Sequence, residues 1–218
     1  MKTTASCVEE ILANQPFLEE ALHRNIVNFS ALAEELKPQV ESMLKKNIKS
    51  GAIMMALRRY HAPSNIGTTP KLKQAMKSLG DITVRSDLSD FTFQNSPSLI
   101  NSHSKILEQI DNSPNIFYAF TRGILESNII ISSSQSEKIM SCFKNEKQIG
   151  LNKNLSAISI NLPVNNSRIP GLYYQIFKRL AWEGISLYEV VSTTNEFTVL
   201  VEDDLVDRAF SVIKNLKS

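Results

Sequence analysis

Cysteine is scarce, with only Cys7 and Cys142 in 218 residues. Their separation matches no paired metal-binding spacing. Each falls in a helical pattern where a thiol acts as a small apolar residue, so both are expected to be reduced. No apolar run approaches the ~18 residues that cross a bilayer, and Met1 to Glu10 has no hydrophobic leader core, which predicts a cytoplasmic chain without membrane contact. Histidine is nearly as rare. His23 and His61 lie in or beside helical patterns and His103 lies on an apolar helical face, where a packed, hydrogen-bonded ring is the ordinary outcome. No phosphate loop, dinucleotide fingerprint, nucleophile elbow or metal spacing occurs. The pair Asp203-Asp204 reads as a helix start, and Trp182, Met54 and Met55 read as packing residues. These absences predict a protein that is not an enzyme and needs neither cofactor nor metal.

The hydrophobic content of 42% is that of a globular chain long enough for one large or two to three small domains. Its net charge of +2 is unevenly spread. Residues 1–36 sum to −4, residues 37–80 to +8 and residues 81–218 to −2. One basic block therefore stands in the N-terminal third.

The final third carries the clearest pattern. Ile158, Ile160 and Leu162 alternate as one face of a strand, and the polar turn Val164 to Arg168 follows. Pro170-Gly171 then opens a segment with apolar residues at Leu172, Tyr173, Ile176, Phe177, Leu180 and Ala181, the spacing of one helical face. Gly184 reads as a helix C-cap. Two strand-like runs, Ser186 to Ser192 and Phe197 to Val201, flank a tight turn at Asn195-Glu196. Asp203-Asp204 then leads the amphipathic segment Leu205 to Ile213.

The order strand, helix, strand, strand, helix, with Pro170-Gly171 and Glu183-Gly184-Ile185-Ser186-Leu187 at those places, resembles an ACT domain over roughly residues 155–218. The resemblance implies a small amino-acid effector held at Asn165, Asn166, Ser167, Arg168, Ile169, Pro170 and Gly171, at an interface between two such domains. Physical chemistry points to the same place, because the unpaired N–H groups at a helix start attract a carboxylate and Arg168 offers a forked donor. The alternative is that Asn165 and Asn166 shape a turn and Arg168 is a solvated charge.

A weaker copy precedes it. Phe91 to Gln94, Leu99 to Ile110, Ile116 to Phe120, Asn128 to Ser132 and Ser136 to Phe143 repeat the order, with Ile116-Phe117-Tyr118 matching Ser186-Leu187-Tyr188 and Ile139 to Phe143 matching Ala209 to Ile213. This segment resembles a degenerate ACT domain without the Pro-Gly dipeptide. Tandem units of this kind resemble the regulatory end of aspartokinases, with no kinase half present. After the last helix only Asn215 to Ser218 follow, so the second copy lacks a fourth strand of its own. The segment near Ile149 to Leu155, another subunit or nothing fills that edge.

Residues 5–61 show short amphipathic patterns, with Pro16 and Pro38 expected to break helices. Asn28 to Leu36 and Ser50 to Tyr60 resemble the two helices of a helix-turn-helix or winged-helix domain, the second capped by Ser50. The interval between them exceeds the usual turn, so an extra helix over Pro38 to Ile48 is expected. That resemblance implies contact of Lys45, Lys46, Lys49, Ser50, Arg58 and Arg59 with double-stranded DNA. The alternative is a solvated basic face. Residues 82–86 read as a wing of the helical domain or the start of a long strand of the first copy.

The expected architecture is α+β: a helical, helix-turn-helix-like domain over 1–62, a linker and short helix over 63–80, a degenerate ACT-like domain over 81–154 and an ACT domain over 155–218, the last two packed as a tandem pair of ferredoxin-like βαββα units. The expected function is that of a non-catalytic, amino-acid-responsive regulator, a homodimer, acting on transcription. The alternative is an orphan regulatory module of an amino-acid biosynthetic enzyme.

Overall fold

The computed structural model of the chain describes residues 2–23, 25–60, 70–110 and 115–217. The linker residues expected over 63–69, with His61, lie outside the described residues, as does the side chain of His23. The chain divides into a unit of residues 1–71 and a unit of residues 72–218.

The first unit holds helices α1 (Thr4–Ala13), α2 (Pro16–His23), α3 (Phe29–Leu44) and α4 (Ser50–Arg59). Thr3 caps α1 through a capping box with Ser6, and Asn28 caps α3 by accepting from the Ser30 and Ala31 N–H groups. Cys7, Val8, Ile11, Leu12, Leu32, Leu36, Val40, Ile53 and Leu57 form one apolar core. Two expectations from the sequence do not hold in this unit. Pro38 does not break a helix but lies inside α3. The missing N–H and ring clash cost about 3 kcal/mol, yet burial of Leu32, Ala33 and Leu36 before the proline and Val40 after it outweighs that locally. No separate helix over 38–48 therefore exists. Nor does Ser50 cap α4: the cap is Lys49, which makes no side-chain cap bond.

Helix α5 (Pro70–Lys77) begins two residues before the division, and the second unit continues with β1 (Ile82–Gln94), α6 (Leu99–Ile110), β2 (Tyr118–Arg122), β3 (Glu126–Ser132), α7 (Ser136–Cys142), β4 (Gln148–Asn161), α8 (Leu172–Trp182), β5 (Glu189–Ser192), β6 (Glu196–Glu202) and α9 (Val206–Lys214). From β1 onward this is βαββα twice. All six strands join one antiparallel ladder in the order β2-β3-β1-β4-β6-β5. Residues 82–86 thus begin a long first strand and form no wing.

The repeat reaches single residues. Leu88 to Gln94 and Leu155 to Asn161 show the same succession of burial along their strands. Ser89 meets Ser133 at 2.9 Å, and Ser156 meets Asp203 at 2.5 Å, each bond tying the first strand of a repeat to the 3-10 turn before its last helix. Gly184, with φ +67°, ends α8: its N–H bonds the Ala181 carbonyl, and the Ile185 N–H bonds that of Leu180. This is a Schellman stop, and the left-handed backbone is why a glycine stands there. Trp182, expected as a packing residue, is 76% exposed at the end of α8.

The missing fourth strand is supplied by exchange between repeats. Gln148 to Leu151 of β4 lies opposite Phe91 to Phe93 and extends the first repeat, while Ile82 to Arg85 of β1 lies opposite Ala157 to Ile160 and extends the second. Between these stretches the register shifts, and Asp87 and Asn154 both adopt left-handed backbone (φ 57° each). The ladder bends there. Asn128 of β3 donates to Glu189 of β5 at 3.2 Å, although four strand spacings, about 19 Å in a flat sheet, separate those strands. The two half-sheets therefore face each other over Leu88, Ile130, Leu155, Ala157 and Leu200. On their outer faces α6 and α7 cover Phe91, Phe93, Ile129 and Ile131, while α8 and α9 cover Ile158, Ile160, Phe197 and Val199.

Candidate functional site

In the second repeat, residues 162–171 carry the chain from β4 to α8. Leu162 is tied to the β5–β6 hairpin by its N–H to the Asn195 carbonyl at 2.7 Å. Asn165 turns the chain with φ 65°, and Asn166 to Arg168 form one 3-10 turn. Asn166 is 5% exposed and holds the loop down, its Nδ2 donating to the Thr194 carbonyl at 2.7 Å and the Pro163 carbonyl at 3.2 Å. It thus has a structural task, as the turn-shaping alternative requires. Tyr173, inclined on the Phe197 ring at 5.0 Å, brings its hydroxyl within 3.4 Å of Ser192.

Around this anchor the remaining residues divide. Ile169 packs against the core of the second repeat. Asn165, Ser167, Arg168, Pro170 and Gly171 are exposed. Gly171 is the N-cap residue of α8 with φ 88°, and having no side chain it leaves the helix without a side-chain cap. The seven sequence-identified positions therefore lie on one short loop that delivers a positive side chain and an uncapped helix terminus to the same neighbourhood.

The corresponding corner of the first repeat is built from residues that sequence reasoning missed. Ser96 Oγ accepts from the Leu99 N–H at 3.1 Å and caps α6. Glu146, 9% exposed, accepts from Ser96 at 2.5 Å and from Ser102 at 2.9 Å. Burial by itself would raise this carboxyl, but bonds from Ser96, Ser102 and Ser98 outweigh it and hold the group below the ordinary carboxylate range. No local motif announces the cluster, because Glu146 lies far along the chain from its serines.

Asp90 is a second unexpected group. It is 3% exposed on β1, and its Oδ1 has no hydrogen-bond partner. Burial pushes its carboxyl above the usual range, a bond from Asn152 opposes that, and the charge of Glu189 adds to it. His103, expected to be hydrogen-bonded, is packed without a partner at Nε2. It stacks on Phe120 at 3.8 Å, and burial lowers its basicity. Among the described residues no cluster of three His, Cys, Asp or Glu side chains suits a metal, and both cysteines are free.

In the helical unit the candidate DNA-contacting side chains separate into two groups. Lys45, in left-handed backbone, with Lys46 and Lys49 lies exposed on the turn before α4; Ser50 is half-buried at its start; Arg58 and Arg59 are exposed in its last turn. The length of α4, about 15 Å, stands between the lysines and the arginines. Glu41 folds the turn by accepting from the Ile48 N–H at 2.9 Å. Ala52, Met55 and Ala56 border a depression shared with Thr3, Thr4 and Glu9. Part of the candidate recognition face is thus lined by α1.

No protein-family model matches the sequence, and no curated protein matches it. Solved structures do. The ligand-free regulatory subunit of aspartate kinase from Thermus thermophilus is similar with a TM-score of 0.51 and 10% identity, over 64% of this chain and 98% of that one. Clostridium acetobutylicum aspartate kinase gives 0.53 and 16%, over 64% and 35%. E. coli aspartokinase III, solved with aspartate and ADP, gives 0.50 and 12%, over 63% and 33%. This chain thus spans about a third of the two kinases and nearly all of the regulatory subunit. At such identities the likeness is one of fold. The ACT-type α+β resemblance holds at that level, and no helix among the described residues is long and apolar enough to cross a membrane.

Proposed function

We propose that this chain is a non-catalytic regulator that responds to a small amino acid bound at residues 165–171, through a homodimer of its tandem βαββα units. The observation that carries the reading is the corner of the second repeat, where the uncapped start of α8 and the exposed Arg168 share one loop pinned by Asn166. An α-carboxylate finds the positive end of a helix dipole without a side-chain cap, and a guanidinium, there. Support also comes from the fold shared with aspartokinase regulatory subunits. Calorimetry against the twenty amino acids tests it. One or a few should bind, and Arg168→Ala should weaken them roughly tenfold to a hundredfold.

A second reading concerns output. The exposed Lys45, Lys46, Lys49, Arg58 and Arg59 favour contact of the helical unit with duplex DNA, so that the protein acts in transcription. An effector shifts such an output only by preferring one arrangement of the protein over another. Duplex binding should fall steeply with salt and weaken on replacing both arginines by alanine. Salt-insensitive silence toward DNA, with a biosynthetic enzyme as partner, would instead mark an orphan regulatory module.

A further inference from the structure

We propose that Glu146 is a built-in carboxylate that closes the first repeat's counterpart of the amino-acid site, so that the chain offers one effector site rather than two. The part about stoichiometry rests on the reading above; the part about Glu146 stands on its own geometry. In each repeat a short loop leads from the first strand to the first helix. At the start of α6 that position is occupied: both Glu146 oxygens accept serine hydroxyls, and Ser96 also caps the helix. A side chain only 9% exposed brings a negative charge to the place where the dipole of a 12-residue helix favours one.

Among the described residues the second repeat places no carboxylate at the matching position. Ile139 and Phe143 of α7 correspond to Ala209 and Ile213 of α9, and the same spacing sets Leu216 against Glu146. Leu216 is 2% exposed and belongs to the apolar core. The start of α8 has Gly171 in place of a capping side chain and Arg168 just before it. One helix terminus is therefore met by an internal carboxylate, and the other has no side-chain cap. Glu146 arrives on the turn joining α7 to β4, so the same contact also pins the strand that crosses between the repeats.

The test is chemical rescue in the full chain. Glu146→Ala removes the internal carboxylate and leaves Ser96 and Ser102 in place. Acetate or formate should then raise the melting temperature of the variant saturably, by roughly 5 °C over an equal concentration of chloride. Neither the natural protein nor the isosteric Glu146→Gln should respond. A carboxylate-dependent gain, whether the variant is folded alone or only with the anion, is the expected result; absence of any such gain overturns the assignment. For stoichiometry, any amino acid that binds the natural protein should do so at one site per chain, and two equivalent sites would overturn that part. If no amino acid binds at all, the effector reading fails while the rescue experiment still decides the role of Glu146.

Discussion

In the first repeat residues 95–98 take the chain from β1 to α6, Ser96 caps the helix and Glu146 fills the space beside it. In the second, residues 162–171 make the same passage through a 3-10 turn and deliver an uncapped helix with Arg168 at its approach. Both loops are held to the neighbouring hairpin by an asparagine: Asn95 Nδ2 donates to the Gly123 carbonyl at 2.8 Å, and Asn166 Nδ2 to that of Thr194 at 2.7 Å. The device that holds the loop is kept in both repeats, while a negative charge at the helix start is internal in the first and, among the described residues, has no counterpart in the second. A duplicated fold can thus carry one open site without losing the shape that duplication provides.

The largest effect is expected where the repeats touch. Leu88 and Leu155 pair across β1 and β4, each 1% exposed, and either change to alanine should cost about 2–5 kcal/mol in chemical denaturation. Similar losses at both would support an even sharing of the interior, whereas a loss at only one would break the symmetry of the comparison. Next come the loop anchors. Asn95→Ala and Asn166→Ala should each cost roughly 1–3 kcal/mol by stranding partly buried polar groups, and only Asn166→Ala should also weaken amino-acid binding.

Asp90 is expected to have a smaller, pH-dependent effect. Its folded-state pKa is raised, so the folded protein binds the proton more tightly than the unfolded chain. Stability should fall as pH rises from the ordinary carboxylate value through the folded one, and Asp90→Asn should remove that fall in melting curves taken across the range. Ala157, at the matching position of the second repeat, contributes no such slope. The smallest effect is expected at Gly184, where a Cβ would meet no atom within 4 Å; Gly184→Ala should cost about 1 kcal/mol through its left-handed backbone alone.

The order of elements was legible because each βαββα pass writes its own periodicity: alternation at Ile158 and Ile160, helical spacing at Leu172, Ile176 and Leu180, a glycine stop at Gly184. Local chemistry sufficed there. It failed at Pro38, where burial on both sides of the proline overrode its helix-breaking character, and at Ser50, where the backbone places the cap one residue earlier. The shared use of β1 and β4 was also hidden, since Ile82 to Arg85 serves the second repeat while lying in the sequence of the first. At the candidate site the loop and Arg168 were readable as a contiguous motif. Glu146 and Asp90 were not, because what makes them unusual is the burial and company imposed by distant strands and helices.

On the reading proposed above, an outside carboxylate uses the start of α8 and not that of α6. Backbone amide resonances under titration with the amino acid that calorimetry selects test it most directly. Saturable shifts are expected at Arg168, Gly171, Leu172 and Tyr173, with Ser98, Leu99 and Ile100 of the first repeat unmoved. Shifts of equal size at both termini, or shifts confined to the first, would contradict it, as would a full panel of amino acids that moves neither.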